Sequence, residues 1–143
     1  DIRSERIEDA KLAFPRAKYS IMNAMELDFP ENCFDVITTF TLFTSILDHN
    51  IRIEIAKEIV RVLKPRGAIL YYDFRYNNPF NINVVGLRKS EINNLFPDME
   101  MRLKLITLLP PLTRRLGKMA STLYPVLSKV PLLRSHYLGI FLK

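Results

Sequence analysis

Two short apolar runs separated by an amphipathic stretch constrain this chain more than anything else in it. Val36-Ile37-Thr38-Thr39-Phe40 and Ala68-Ile69-Leu70-Tyr71-Tyr72 are each bounded by turn residues. Strands buried on both faces of a parallel sheet read this way. Between them Ile51, Ile55, Ile59 and Val62 recur at helical spacing. Parallel neighbours require a crossover of that kind, so the stretch is a βαβ unit. In open sheets ligands sit beyond the carboxyl ends of the strands. Function is therefore sought in residues 39–45 and 73–78.

The flanks extend the pattern. Ser4 suits a helix N-cap, with Glu5 and Glu8 in the first turn, where they favour the helix dipole. Ile7, Ala10 and Phe14 form its apolar stripe and Pro15 marks its end. Residues 19–22 read as a short strand. Asp48 suits the cap of the crossover helix, and Lys64-Pro65-Arg66-Gly67 reads as a turn. A short helix over residues 90–96 precedes a strand over 101–108, and a final strand covers 137–142. Residues 110–134 form an insertion in which Leu112, Leu116, Met119, Leu123 and Leu127 follow helical spacing beside Arg114, Arg115 and Lys118.

A length of 143 residues suits a single domain over 1–143. The lone Cys33 excludes an internal disulfide framework and a multi-cysteine metal site. No metal site is expected: His49 and His136 are far apart, and no carboxylate or thiol is spaced to join either. Charge is uneven. Residues 1–101 hold 13 Lys/Arg against 15 Asp/Glu, whereas residues 102–143 hold eight Lys/Arg and no acid. The basic part is the tail, yet it is apolar between its charges, so a specific nucleic acid is not expected as a partner.

The run N-A-x-x-L-x-F-P-x-N-x-F-D-V-I from Asn23, followed by R-V-L-K-P-x-G from Arg61, resembles the middle of a class I S-adenosylmethionine-dependent methyltransferase. The resemblance covers nearly the whole chain. It implies an α/β fold, a Rossmann-like three-layer sandwich with a mostly parallel sheet and an antiparallel last strand. Its strand order is third, second, first, fourth, fifth, seventh, sixth. The family opens with a strand and a G-x-G-x-G loop, and nothing here matches them: Gly67, Gly86, Gly117 and Gly139 all fall later. The chain is therefore expected to be the C-terminal two-thirds of such a domain, a truncated form. The family usually has two glycines in the turn where Arg66 now stands, an exchange that costs little unless the position needs a positive φ.

The resemblance also implies roles. Asp1, with Ile2, falls where an acidic residue grips the ribose hydroxyls of S-adenosylmethionine; a solvated terminal Asp is the plainer reading. Asn23 falls where an amide meets the adenine amino group, with Ala24 and Met25 packing on the ring, although Asn is also a common turn residue. Thr39 and Phe40 border the methionine part of the cofactor, unless Phe40 is simply core. Asp73, Arg75 and Tyr76, beyond the fifth strand, are the candidate catalytic residues: Asp73 to orient a hydroxyl, Arg75 to pair with an anionic group. Asp35 is read as structural.

The expected function is methyl transfer to a small-molecule or glycan- or lipid-linked acceptor, in the cytoplasm or at a membrane surface. Displacement at a sulfonium methyl needs positioning and desolvation, and a base only if the acceptor must lose a proton. The alternative is a non-enzymatic remnant that binds a partner or an anionic membrane through its basic C-terminal segment. Residues 110–134 would then be an interfacial helix rather than a lid-like insertion. The oligomeric state and the methylated atom are left open.

Overall fold

The computed structural model describes residues 2–77 and 81–143. Asp1 lies outside the described residues, as do Asn78 and Pro79 of the strand-end loop. Four strands, β1 (Phe34–Phe40), β2 (Leu63–Phe74), β3 (Glu100–Leu108) and β4 (Arg134–Leu142), form one sheet in the order β1-β2-β4-β3. The helices are α1 (Ser4–Ala13), α2 (His49–Val62), α3 (Lys89–Leu95), α4 (Pro110–Leu116) and α5 (Ala120–Leu127).

β1 and β2 are parallel across α2, the expected βαβ unit. β4 runs antiparallel to both β2 and β3. Three strands thus point one way, but β4 stands between two of them, and among the described residues only one pairing is parallel. The order is that of the fourth, fifth, seventh and sixth strands of the family.

α2 forms where the sequence places it. The Asp48 carboxylate accepts the backbone N–H groups of Asn50 at 2.7 Å and Ile51 at 3.2 Å, which satisfies donors that a helix start leaves open. Its stripe of Ile55, Ala56, Ile59 and Val62 is buried against the sheet. With α3 it covers the sheet face that carries Ile69, Tyr71 and Phe141. The Tyr71 ring stacks on Phe43 at 6.2 Å and on Phe141 at 5.1 Å, and Phe96 closes the group against both phenylalanines. Each such ring removes on the order of 150–250 Å² from water, which makes this cluster the main core.

The other face differs. Val36, Phe40, Ile140 and Leu142 share it, and all are exposed, Val36 and Phe40 at 59% and 57%.

Several expectations are corrected. Residues 19–22 form no strand. In the family order that strand reaches β1 only through two others, and among the described residues none supplies the ladder. The segment is instead held by side chains: Arg61 donates to the carbonyls of Leu27 and Phe29, each at 2.9 Å, and Glu58 accepts from Leu27 N–H at 2.9 Å. The N-cap of α1 is Arg3, with Ser4 its first helical residue. The turn at residues 64–67 lies inside β2 as an irregularity, since Phe34 pairs with Leu63 but Val36 with Ala68. Arg66 adopts φ +65° there, the left-handed region, which costs a side-chain-bearing residue roughly 1–2 kcal/mol. Residues 110–134 are not one helix, because Gly117 at φ +51° separates α4 from α5.

Arg61 and the Leu27 N–H hold the Glu58 carboxyl down to about 2 from its ordinary 4.5. A depressed carboxyl stabilises the fold above the unfolded value and loses that contribution as pH falls through the folded one. Glu58→Gln is expected to lower the urea midpoint at neutral pH, and the gap from wild type should narrow between pH 4.5 and 2. Urea unfolding followed by circular dichroism across that range checks it.

Candidate active site at the carboxyl end of the sheet

The strand ends are assembled around one carboxylate. Asp73, fully buried near the end of β2, accepts from the backbone N–H of Phe43 at 2.9 Å and of Thr44 at 3.3 Å through Oδ2. Its Oδ1 accepts from the Thr44 hydroxyl and from Phe74 N–H at 3.1 Å. Burial pushes this carboxyl up from the ordinary carboxylate range, and the bonds from Thr44, Phe74 and Phe43 oppose the shift. Phe43 and Thr44 belong to the 3-10 turn Phe43–Ser45, which follows β1. Buried Arg52 of α2 completes the hold from the other side, its Nε donating to the Phe43 carbonyl at 3.0 Å and the Ile46 carbonyl at 2.6 Å. The loop after β2 returns to the same place: Val85 N–H reaches the Thr44 carbonyl at 2.9 Å and Leu87 N–H the Phe74 carbonyl at 3.0 Å. Gly86 is required in it, because a Cβ there would run into the Tyr76 backbone.

The alternate residues of β2 point to the open face. Tyr72 there receives the edge of Phe40 at 6.2 Å and stacks on His136 of β4 at 4.7 Å with the rings 4° apart. Phe74 packs on the same imidazole at 4.0 Å. A polar chain adjoins these rings. Tyr72 OH meets Thr107 Oγ1 at 3.2 Å, Ser135 Oγ lies 3.1 Å from the Thr107 carbonyl oxygen, and 2.8 Å separates Ser135 Oγ from His136 Nδ1. Burial pushes the imidazole below its ordinary range. Thr41 and Thr107, at φ +50° and +59°, hold left-handed conformations on either side of Tyr72. Backbone strain of this kind gathers at functional sites.

The residues singled out from sequence divide into four groups. Asp73, Arg75 and Tyr76 share a strand end but face different partners. The Arg75 guanidinium lies 4.4 Å over the Tyr76 ring and donates to the Pro131 carbonyl at 3.1 Å, and Tyr76 OH donates to the Leu132 carbonyl at 3.1 Å. Thr39 and Phe40 end β1, Thr39 buried with its hydroxyl unpartnered among the described residues, Phe40 exposed. Asn23 Oδ1 accepts from Met25 N–H at 3.0 Å, the turn reading, and Ala24 packs on the core while Met25 stays exposed. No hydrogen bond or ring contact joins the Asn23–Met25 turn to the β1 end among the described residues. Ile2 is 68% exposed. Among the described residues no group of three or more His, Cys, Asp or Glu could hold a metal ion. His136, considered from sequence only as a metal ligand, is the residue missed. Its signal is a histidine on an alternating strand, which means something only once β4 is known to pair with β2.

The comparisons with known proteins agree with this geometry. The model of a methyltransferase domain family matches residues 1–71. The ubiquinone/menaquinone biosynthesis C-methyltransferase UbiE of Rickettsia bellii is 34% identical over 80 residues, 52% of this chain and 31% of that protein. The chain thus spans under a third of the length of the curated relatives it matches. An S-adenosylmethionine-dependent methyltransferase from Methanosarcina mazei superposes with a TM-score of 0.70 at 21% identity, covering 100% of this chain and 79% of that one. The N-methyltransferase NodS of Bradyrhizobium japonicum, in complex with S-adenosylhomocysteine, superposes at 0.70 with 14% identity, over 100% and 64% of the two chains. The sheet and its carboxyl-end site define a Rossmann-like α/β protein of mixed sheet. Residues 1–71 match the methyltransferase domain family, and the fold of the chain is that of S-adenosylmethionine-dependent methyltransferases.

Removing the Asp73 carboxylate strands two buried N–H groups and the Thr44 hydroxyl. Asp73→Ala is expected to destabilise the fold by about 3 kcal/mol, with Asp73→Asn, which keeps an acceptor oxygen, losing less than half as much. Denaturant unfolding, with hydrogen exchange at the Phe43 and Thr44 amides, checks the order.

Proposed function

We propose that this chain serves S-adenosylmethionine-dependent methyl transfer to a small-molecule acceptor, glycan- and lipid-linked acceptors included, in a reducing compartment such as the cytoplasm. The observation that carries the reading is a coincidence of place. The family match over residues 1–71 ends in β2, at the strand ends where Phe40 and Tyr72 form an aromatic shelf. The residues present suit the cofactor. Asn23 gives one lone pair to Met25 and retains a second, with its NH2 group, for the edge of an adenine. Ala24 and Met25 would lie against that ring, and Thr39, whose enclosed hydroxyl lacks a partner among the described residues, and Phe40 would border the methionine part. Asp1 and Ile2 would take the ribose. When bound, the cofactor supplies an electrophilic methyl group on a sulfonium.

The chain's own residues position and dry the site. Asp73 holds the loop after β1 rather than meeting the acceptor. Arg75 and Tyr76 keep residues 131–132 against the strand end, where Arg75 also remains partly open to an anionic group. Aromatic walls with few charges favour a flat, largely apolar acceptor. The Rickettsia relatives, named for C-methylation in ubiquinone and menaquinone biosynthesis, support an acceptor of that kind.

Calorimetric titration of S-adenosylhomocysteine tests the reading. Binding is expected in a form extended at the N-terminus by a strand and glycine-rich loop, and at least about tenfold weaker in this chain, whose β1 edge has no neighbouring strand among the described residues. Heat from neither form overturns it.

A second reading rests on residues 110–134. Met119, Val126, Val130 and Leu132 are exposed beside Arg114, Arg115, Lys118 and Lys129, and basic residues near an anionic bilayer contribute about 1 kcal/mol each. No helix among the described residues is long and apolar enough to cross a membrane, so contact would be peripheral. Sedimentation with vesicles is expected to rise with phosphatidylserine content and to fall in Arg114→Ala/Arg115→Ala/Lys118→Ala. Equal sedimentation with neutral vesicles removes the membrane reading.

A further inference from the structure

The imidazole of His136 is built into its surroundings in one orientation and one tautomer. The Thr107 carbonyl oxygen can only accept, so Ser135 Oγ, 3.1 Å away, donates its proton there. The lone pair of that oxygen then faces Nδ1 at 2.8 Å, which makes Nδ1 the protonated nitrogen and leaves Nε2 with its lone pair. Nε2 has no hydrogen-bond partner among the described residues. Among the described residues the fully enclosed polar side-chain atoms without partners are Thr39 Oγ1, Arg52 Nη2 and Tyr71 OH. Nε2 is not among them, so the 4% of His136 that meets solvent includes this atom. Tyr72 on one side and Phe74 on the other fix the ring plane. The relay ends at Thr107, a β-branched residue held at φ +59° opposite β4.

We propose that His136 is the proton acceptor of the site, taking the proton of a hydroxyl carried on a flat, aromatic acceptor that lies against Phe40 and Tyr72. The acceptor's O–H bond breaks, its electron pair stays on oxygen, and the proton moves to Nε2. The positive charge is shared along Nδ1–H to Ser135 Oγ, whose own proton points at the Thr107 carbonyl. The oxygen becomes a nucleophile, or activates the ring that carries it. This deepens the methyl-transfer reading and rests on it for what the nucleophile attacks. His136 would be catalytic, and Ser135 a positioning residue. The titratable or charged groups on this face are the Tyr72 phenol from β2, Lys104 and, farther along, Arg102 and Glu100 from β3, and Arg134 on the same strand. The carboxylate of Glu100 stands at the far end of β3, opposite Leu142, and pairs there with Arg102 at 2.8 Å, and burial keeps the imidazole neutral and able to accept near pH 7.

The test uses 4-nitrocatechol, whose phenol and phenolate absorb differently, added to the chain without cofactor at a pH below the probe's own pKa. Wild type is expected to bind it and display the phenolate band. His136→Gln should bind it with the band reduced at least about tenfold, and Ser135→Ala should lie between. An unchanged band in His136→Gln overturns the proposal, as does failure of wild type to bind the probe. Nitrogen NMR of the histidine rings in wild type stands independently of how the variants fold: a neutral ring protonated on Nδ1 is expected, and one protonated on Nε2 overturns the proposal. A chain that ionises the probe yet binds no S-adenosylhomocysteine when extended refutes methyl transfer alone. One that binds the cofactor product and leaves the probe neutral refutes the role of His136 alone.

Discussion

One buried carboxylate joins three pieces of chain that sequence separates. Asp73 sits on β2, but its donors are Phe43 and Thr44, about one βαβ crossover earlier, and Phe74 beside it. Through the Thr44 carbonyl the hold passes to Val85, and through Phe74 to Leu87. A buried carboxylate without donors is costly by several kcal/mol, and buried N–H groups without acceptors cost a further 1–3 kcal/mol each. Each side of the joint therefore enforces the other. The loop after β1 cannot drift from β2 without exposing both debts, so the two strand ends that form the site move as one body.

The site itself depends on the alternation of β2. Ile69, Tyr71 and Asp73 face α2 and α3, where they supply core and joint, while Leu70, Tyr72 and Phe74 face the opposite side, where they supply the aromatic shelf. A slip of one residue would exchange the two sets. The register is set at the start of the strand, where the irregularity at residues 64–67 lets Phe34 pair with Leu63 and Val36 with Ala68. Arg66 accepts a left-handed conformation to make that possible, and its N–H bonds the Lys143 carbonyl at 3.0 Å. Local backbone strain at the foot of the sheet is thus connected, along one strand, to the placement of rings at its head.

Much of this was legible in the residues. Apolar runs and a helical stripe between them gave β1, α2 and β2, because buried strands and an amphipathic crossover have distinct periods. Asp48 announced its own cap. Residues 19–22 misled, since strand-like composition cannot make a ladder without a neighbour, and Arg61 and Glu58 hold the adjoining segment from a helix face that no local pattern reveals. Asp73 stood out as an unexplained acid at a strand end, but its donors lie about 30 residues away, and only the fold shows that its lone pairs are filled. His136 was invisible for the same reason. Its meaning comes from Tyr72, Phe74 and Thr107, which reach it through strand pairing.

The same strand ends also carry the neck of residues 110–134. Leu109 N–H meets the Leu133 carbonyl at 2.9 Å, Arg134 reaches the Leu105 and Ser128 carbonyls, and Arg75 and Tyr76 hold the carbonyls of Pro131 and Leu132. These bonds close the insertion at its base, whereas Met119 and Val126, farther out, are exposed. Any force on α4 and α5, whether from a bilayer or from an acceptor, is therefore delivered at residues 131–134. Ser135 and His136 come next in the chain, and Arg134 shares their strand. A basic, apolar arm and the polar relay behind the aromatic shelf are consequently parts of one mechanical unit, and the arm cannot be displaced at its base without disturbing the hydrogen bonds that orient the imidazole.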